Sequence, residues 1–463
     1  MTNDFLQDEE TVSVLRQWQQ INEQYPNDAL ARIREKIPLV KQVDSELNLF
    51  GADSHEYELN PVIALADIEK WQKRTGATLP QDFVQFLTQI GNGGLGPYYG
   101  IVRFEDSESR FDQTAALPSI LSPTMSQEEW QKLTFLDDDC SDEEFDEREN
   151  YIHQGVFYLG TCGCEYDLLL VITGEYAGRI IYTNHWCGSN QPFFFSYELS
   201  FSQWYERWLD EVIQGYETSW FGHRIGGDEQ TLFDLYIQMD SSELRCQVLS
   251  GLTKLKLLSD KGLVLLTEII KENQGEESKL ALRVLAQYAP NIASSYLMSA
   301  LKSTDRAWQN LAISTIFFNQ KENLTDYKDN ILELIKSVED ADFIRFAGYI
   351  LKDLAATQAE DFAHLFEHSN LNLARTALYA ASSDTNVKEK FALFYPSITS
   401  DDGDMACLAI RTLVELNTVI PDVIPLLECA WKKFPKEKNE YVRTNIQNYL
   451  RKFSVTGDFP KED

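Results

Sequence analysis

Three cysteines and a histidine gather in one stretch of the chain: Cys162-Gly163-Cys164, then His185 and Cys187. Thiolates and imidazoles are zinc ligands, but paired ligands usually stand about two to four residues apart. A single intervening glycine makes a poor chelate, so no metal is expected here. A redox dithiol would ordinarily be Cys-x-x-Cys, which is absent. His364 and His368 stand four apart in AHLFEHSN. No Glu directly follows the first, so the zincin arrangement is missing and a polar helix face is the expected home. GNGGLG (Gly91–Gly96) follows a helical stretch rather than a strand, and no Gly-Lys-Ser/Thr occurs, so it reads as a turn rather than a phosphate loop. There is no Gly-x-Ser-x-Gly elbow either. Nothing assembles a nucleophile, a base and an orienting group, so the expectation is no enzyme, no catalytic residue and no cofactor.

What chemistry remains is recognition. Asp137, Asp138, Asp139, Asp142, Glu143, Glu144, Asp146, Glu147 and Glu149 crowd around a single Arg148. Packed like charges repel, so this run is expected to be an extended, solvated loop. Its sharper reading is a surface that mimics nucleic acid or docks a basic protein face, since complementary charge steers encounter and gives specificity. The Asp-x-Asp-x-Asp-Gly spacing of a calcium loop is absent. Tyr98, Tyr99, Trp186 and Phe193 to Phe195 suit a core, and a fraction of them suits an interface anchor. The partner-binding set expected from the sequence is therefore Asp137, Asp138, Asp139, Asp142, Glu143, Glu144, Asp146 and Glu147, with Tyr98, Tyr99 and Trp186.

The chain that must position these groups has 463 residues and a formal net charge of −32, with 43% hydrophobic residues. That length calls for two or more folding units, and the apolar content argues against disorder. The charge repels nucleic acid and anionic membranes and attracts basic proteins. No window approaches the ~18 consecutive apolar residues of a membrane span. The start, MTNDFLQDEE, has no apolar signal region. A cytoplasmic protein is expected, with its seven cysteines reduced and those of the C-terminal half acting as small core fillers. Oligomeric state is not legible.

Residues 1–50 read as a helical extension, with Val12, Leu15, Trp18 and Ile21 as its stripe and Pro38 ending it. Residues 51–220 mix helices (Val62–Thr75, Gln81–Ile90) with strand candidates Val156–Leu159, Leu168–Thr173, Arg179–Tyr182 and Phe193–Tyr197. SFSQWYERWLDEVI closes this part, capped by Ser200 or Ser202, with Trp204, Trp208 and Val212 on one face. Beyond Gly226–Gly227 the strand signal ends. Residues 228–455 alternate helical stretches with short polar breaks, and 456–463 form a tail.

Those stretches repeat. ELRCQVL, SKLALRVL, QNLAISTI, IRFAGYIL, LARTALYA, ACLAIRTL and YVRTNIQNYL align on Cys246, Ala281, Ala312, Ala347, Ala377, Ala409 and Thr444, at spacings of 35, 31, 35, 30, 32 and 35 residues. A second helical stretch follows most anchors, as at Ile292–Leu301, Lys328–Ile335, Phe362–Phe366, Val387–Phe394 and Val423–Trp431. A helix pair every ~30–45 residues is the mark of an α-solenoid. The tetratricopeptide pattern is missing, so the repeats are HEAT-like.

Leu79–Ile101 (LPQDFVQFLTQIGNGGLGPYYGI) places Leu-Pro at a helix start and Phe83, Phe86, Leu87 and Ile90 on one stripe. Gly91, Gly93 and Gly94 then end the helix. With the Gly-Pro-Tyr-Tyr-Gly turn, the segment resembles the SUKH superfamily, the group that includes the SMI/KNR-type cell-wall regulators. LGTCGCEYDLLLVITGEYAGRIIY (Leu159–Tyr182) and the SFSQWYERWLDEVI helix follow in the family's order. Ile181-Tyr182 stands where many relatives have Val-Trp, and the acidic insertion departs from the pattern. The resemblance implies an α+β domain (a mixed sheet with flanking helices), here followed by the all-α HEAT-like solenoid. It also implies a non-enzymatic, protein-binding role. Bacterial relatives look like immunity proteins that neutralise toxins by direct complexation, and fungal relatives are regulatory scaffolds. The expectation is an immunity protein gripping a basic toxin domain through its acidic surface, with a scaffold for endogenous partners as the alternative.

Overall fold

Strands β1 (Val156–Thr161), β2 (Asp167–Val171), β3 (Ile180–Thr183) and β4 (Phe194–Phe195) follow one another as a meander in the order β1-β2-β3-β4. Every described pair is antiparallel, where a mixed sheet was expected. The connections are too short for the crossover that a parallel neighbour needs. Gly174–Gly178 forms the β2–β3 turn, closed by Gly178 N–H donating to Val171 O at 2.8 Å. These strands belong to a computed structural model that describes residues 9–137, 140–163, 166–184, 193–272 and 275–454. The chain divides into two compact units, Met1–Val264 and Leu265–Asp463.

In the first unit the sheet is buried on both faces, and strand alternation assigns each side. Phe157, Leu159, Leu168, Leu170, Ile180, Tyr182 and Phe194 face the larger core. Val156, Tyr158, Leu169, Val171, Ile181 and Phe195 face the smaller. The departure at Tyr182 is accommodated inside: Tyr182 pairs with Leu168 and is 1% exposed, and Trp204 Nε1 donates to its hydroxyl at 3.1 Å.

The larger core is built by α1 (Glu9–Gln24), α2 (Ala29–Val43), the single turn α3 (Ala52–His55), α4 (Leu65–Thr75), α5 (Gln81–Gln89), the short α6 (Phe104–Ser107) and α9 (Phe201–Ile213). The N-terminal stretch is two helices, because Asp28 caps a new start with its side chain accepting from Ala31 N–H. Pro38 lies inside α2 without ending it, on an exposed side where the freed carbonyl meets water. Val12 is exposed and Val14 is buried instead. A strict three-residue spacing drifts about 60° per step around a 3.6-residue helix, so Val12 falls off the face on which Leu15, Trp18 and Ile21 pack against the core. Ser200 caps α9, accepting from Gln203 N–H.

The smaller core is covered by α7 (Gln127–Thr134) and α8 (Asp142–Ile152), through Trp130 and Ile152. The unit ends with α10 (Glu229–Gln238) and α11 (Ser242–Leu252). Lys254, just past α11, donates to the Glu211 carboxylate of α9 and to Ile225 O at 3.0 Å.

After α12 (Asp260–Glu272) the described residues form helices joined by turns, with no strand among them. The first helices of successive repeats are α13 (Glu276–Tyr288), α15 (Arg306–Asn319), α17 (Ala341–Asp353), α19 (Leu371–Ala381), α21 (Gly403–Glu415) and α23 (Lys436–Phe453). Each packs on the next. Between them stand α14 (Pro290–Leu301), α16 (Leu324–Ile335), α18 (Ala359–Ala363), α20 (Tyr395–Ile398) and α22 (Ile424–Lys433). This is an α-solenoid. Ala281, Ala312, Ala347, Ala377 and Ala409 are all fully buried where these helices meet. Cys246 is half-buried and Thr444 exposed; α23 buries Val442, Ile446 and Tyr449 instead. Cys429 is exposed rather than a core filler, and Cys407 is half-buried.

Candidate partner-binding surfaces

The acidic run folds as a helical hairpin rather than a loop. Ser126 and Ser141 each begin a helix with a full capping box. At the second, Glu144 accepts from Ser141 N–H at 2.9 Å and from its hydroxyl at 3.1 Å, while Ser141 Oγ accepts from Glu144 N–H. Carboxylates in the first turn are favoured by the exposed N–H groups and the helix dipole, which outweighs their mutual repulsion in water. The backbone and hydroxyl of Ser141 hold the Glu144 carboxyl below its usual range. Glu144 therefore serves the cap. Arg148 donates to Leu133 O at 3.0 Å and ties α8 to α7.

Asp137, Asp142, Glu143, Glu144, Asp146 and Glu147 are all exposed. Asp138, Asp139 and Trp186 lie outside the described residues. The sequence reading missed two exposed rings among these carboxylates: Phe135, 63% exposed, and Tyr151, 48%. Together with Leu136 and Cys140 they line a groove bordered by Asp137, Glu144 and Glu147. The spacings Ser126-x-x-Glu129 and Ser141-x-x-Glu144 were the signal that this segment is a hairpin, and a hairpin must expose one side of each helix.

The aromatic turn stands on the other side of the sheet. Tyr98 packs on Tyr182, ring centroids 6.3 Å apart, and donates its hydroxyl to Phe221 O at 2.8 Å. Burial pushes its phenol well above the usual range. Tyr99 is 41% exposed and meets Phe50 edge-on at 5.3 Å. Tyr182 faces the larger core and Ile181 the smaller, where Trp130 of α7 packs. The structure thus brings the acidic residues together on one sheet face and places Tyr98 and Tyr99 by the other.

Cys162 is half-buried, and burial raises its thiol well above the ordinary value, which disfavours the thiolate that metals and redox chemistry use. Cys164, His185 and Cys187 lie outside the described residues. Among the described residues no group of three or more His, Cys, Asp or Glu side chains is placed to hold a metal. His364 and His368 do not form such a site. His368 meets Glu339 at 3.5 Å and accepts Asn370 N–H on Nδ1. No described helix is long and apolar enough to cross a membrane.

Compared with known families, residues 63–207 match the model of the SMI1 / KNR4 family (SUKH-1). That stretch runs from just before α4 to the middle of α9 and includes the whole sheet and the acidic hairpin. No curated protein matches the chain.

Proposed function

We propose, on the premise that residues 63–207 form a domain of the SMI1/KNR4 family (SUKH-1), that this chain is a non-enzymatic protein-binding module. Its most specific role in this reading is that of an immunity protein, which neutralises a cognate toxin by direct complexation. The observation that carries it is the α7–α8 hairpin, where exposed Phe135 and Tyr151 sit among exposed carboxylates. Rings supply the desolvated anchor of an interface, and the surrounding charge speeds encounter with a basic partner. The partner is a basic protein domain, and the compartment is the cytoplasm.

The test uses the full chain as an immobilised bait, at low and high salt, beside a variant carrying Asp142→Lys, Glu143→Lys, Asp146→Lys and Glu147→Lys. The reading expects one basic toxin-like partner, weakened by salt and lost with the variant. It also expects co-expression of the unmodified chain, but not of the variant, to protect cells from that partner. A partner that ignores both salt and the four lysines would sink it.

A further inference from the structure

Beside the aromatic turn a cavity of about 270 Å³ opens among four segments of the first unit. Its inner wall is His55, Tyr57, Tyr98 and Trp208. Its mouth is marked by Phe50 and Thr218. The walls are held stiffly. The buried Asp44 carboxylate accepts Asn48 N–H at 2.8 Å, Leu49 N–H at 3.0 Å and the Tyr57 hydroxyl at 2.5 Å. His55 Nδ1 accepts Tyr57 N–H at 3.0 Å.

The backbone here is also strained. Leu47, Glu56, Tyr57 and Tyr98 all hold φ between 48° and 57°, in the left-handed region that non-glycine residues seldom adopt. They account for four of the seven such residues in the described chain. Gly51 is required where the wall closes, since a Cβ there would collide with the Tyr98 carbonyl. Strain of this kind persists only where the surroundings over-determine it, and it gathers at ligand clamps.

In a chain of net charge −32 the lining carries no carboxylate and no ammonium or guanidinium. Burial lowers the affinity of His55 for a second proton, which favours the neutral ring. The volume falls below the ~300–1,000 Å³ of sites for drug-sized ligands and suits a single ring system. From the mouth outward, Phe50 (57% exposed) and its neighbour Tyr99 (41%) extend the apolar surface for the chain that would carry the ring. Thr218 brings a hydroxyl to the rim for a peptide backbone, while Ser219 is engaged by the Glu217 carboxylate.

We infer that this cavity is the seat of an uncharged aromatic side chain, an indole or phenol, presented by a protein partner of the SUKH-1 domain. The inference rests on the protein-binding reading and adds to it a second, neutral contact on the sheet face away from the acidic hairpin. An aromatic ring in a rigid, preformed pocket is the usual form of an interface hot spot.

The probe is N-acetyl-tryptophanamide, titrated into the full chain and followed by saturation-transfer NMR, with N-acetyl-leucinamide as the comparison. Saturable contact of the indole protons is expected, with the leucine amide weaker. Thr218→Trp, which plugs a half-exposed position at the mouth, should weaken the indole by about tenfold or more. Phe50→Ser, at an exposed position, should weaken it to a lesser degree, and thermal unfolding checks that both variants fold. No saturable binding, or binding undiminished in both variants, overturns the inference. The four-lysine variant of the hairpin leaves this readout unchanged, so failure of the acidic-surface reading is told apart from failure of this one.

Discussion

The ammonium of Lys36, wholly buried, lies 2.6 Å from the carboxylate of Glu206 and 2.6 Å from that of Asp210. It joins α2 to α9, and Arg32 adds a forked pair to Glu206 at 2.6 and 2.9 Å. Trp18 of α1 donates to Asp210 at 2.5 Å. The N-terminal helices thereby share one core with the matched segment, residues 63–207. The two carboxylates differ. Burial pushes Glu206 up, but Arg32 and Lys36 outweigh it and leave it below its usual range. For Asp210 burial prevails and the value is raised.

Removing Lys36 should therefore expose Asp210 as the uncompensated charge. Lys36→Met is expected to destabilise the protein by about 3 kcal/mol, since breaking one side of a buried pair strands the other. Replacing both, as Lys36→Met with Asp210→Leu, should recover most of that loss. Urea unfolding of the two variants measures it. A double variant no better than the single would refute the pairing.

The cap at Ser141 carries a second expectation. Ser141→Ala removes the hydroxyl that accepts Glu144 N–H and that holds the Glu144 carboxylate in place. Loss of such a cap costs about 1 kcal/mol of helix stability. Because α8 is joined to its surroundings beyond its first turn, through Arg148 and Ile152, the effect should be local. Amide exchange over 142–146 should quicken while that of β2 stays unchanged; equal change in both would mean the cap is not a local device.

How far this hairpin was legible turns on which force was weighed. Like-charge repulsion argued for a loop, while the two Ser-x-x-Glu spacings argued for helices, and in water the caps and dipole prevail. The strands were legible to within about two residues at most ends because alternation and bounding glycines are local signals. The inner anchors of the solenoid were legible too, since Ala281 through Ala409 mark a repeated close approach. Thr444 failed because the last first-row helix turns a different face inward. The Lys36–Glu206 contact could not be read at all: its partners stand 170 residues apart. A buried lysine in a charged helix looks like any other lysine. The Phe50–Tyr98 cavity is assembled the same way, from α3, α9 and turns whose meeting no spacing announces.

His223 sets a pH dependence. Its ring is packed by Phe194, Tyr182, Tyr166 and Trp220. Burial, helped by the neighbouring Arg224, lowers its pKa to about 4. The unfolded chain takes up this proton near pH 6.5, before the folded chain does, so the unfolded state gains as pH falls. Stability from this group is present above about pH 6.5 and is lost progressively down to about pH 4. The ring is still partly open to water, so the loss should be about 1–2 kcal/mol rather than the full linkage value. His223→Phe should flatten the unfolding midpoint across this window relative to the unmodified chain. An identical slope in both would show that the ring is not buried neutral.

Gly348 tests the stacking of the solenoid. A Cβ at this position would lie 2.7 Å from the Cβ of Ala380, so α17 approaches α19 more closely than two side chains permit. In an open helix, Gly→Ala is worth up to about 1 kcal/mol of added stability. Here the steric term opposes it, because Ala380 is held by a helix backbone and cannot swing aside. Gly348→Ala should therefore bring no gain. Gly348→Val, which adds bulk that the crossing cannot hold, should cost about 2 kcal/mol or more through overpacking. Ala380→Gly should restore part of it, since it removes the atom that Cβ meets. Urea unfolding of the three variants reads the outcome. Stabilisation by Gly348→Ala of the size seen in an open helix would mean that these two helices do not cross at Gly348.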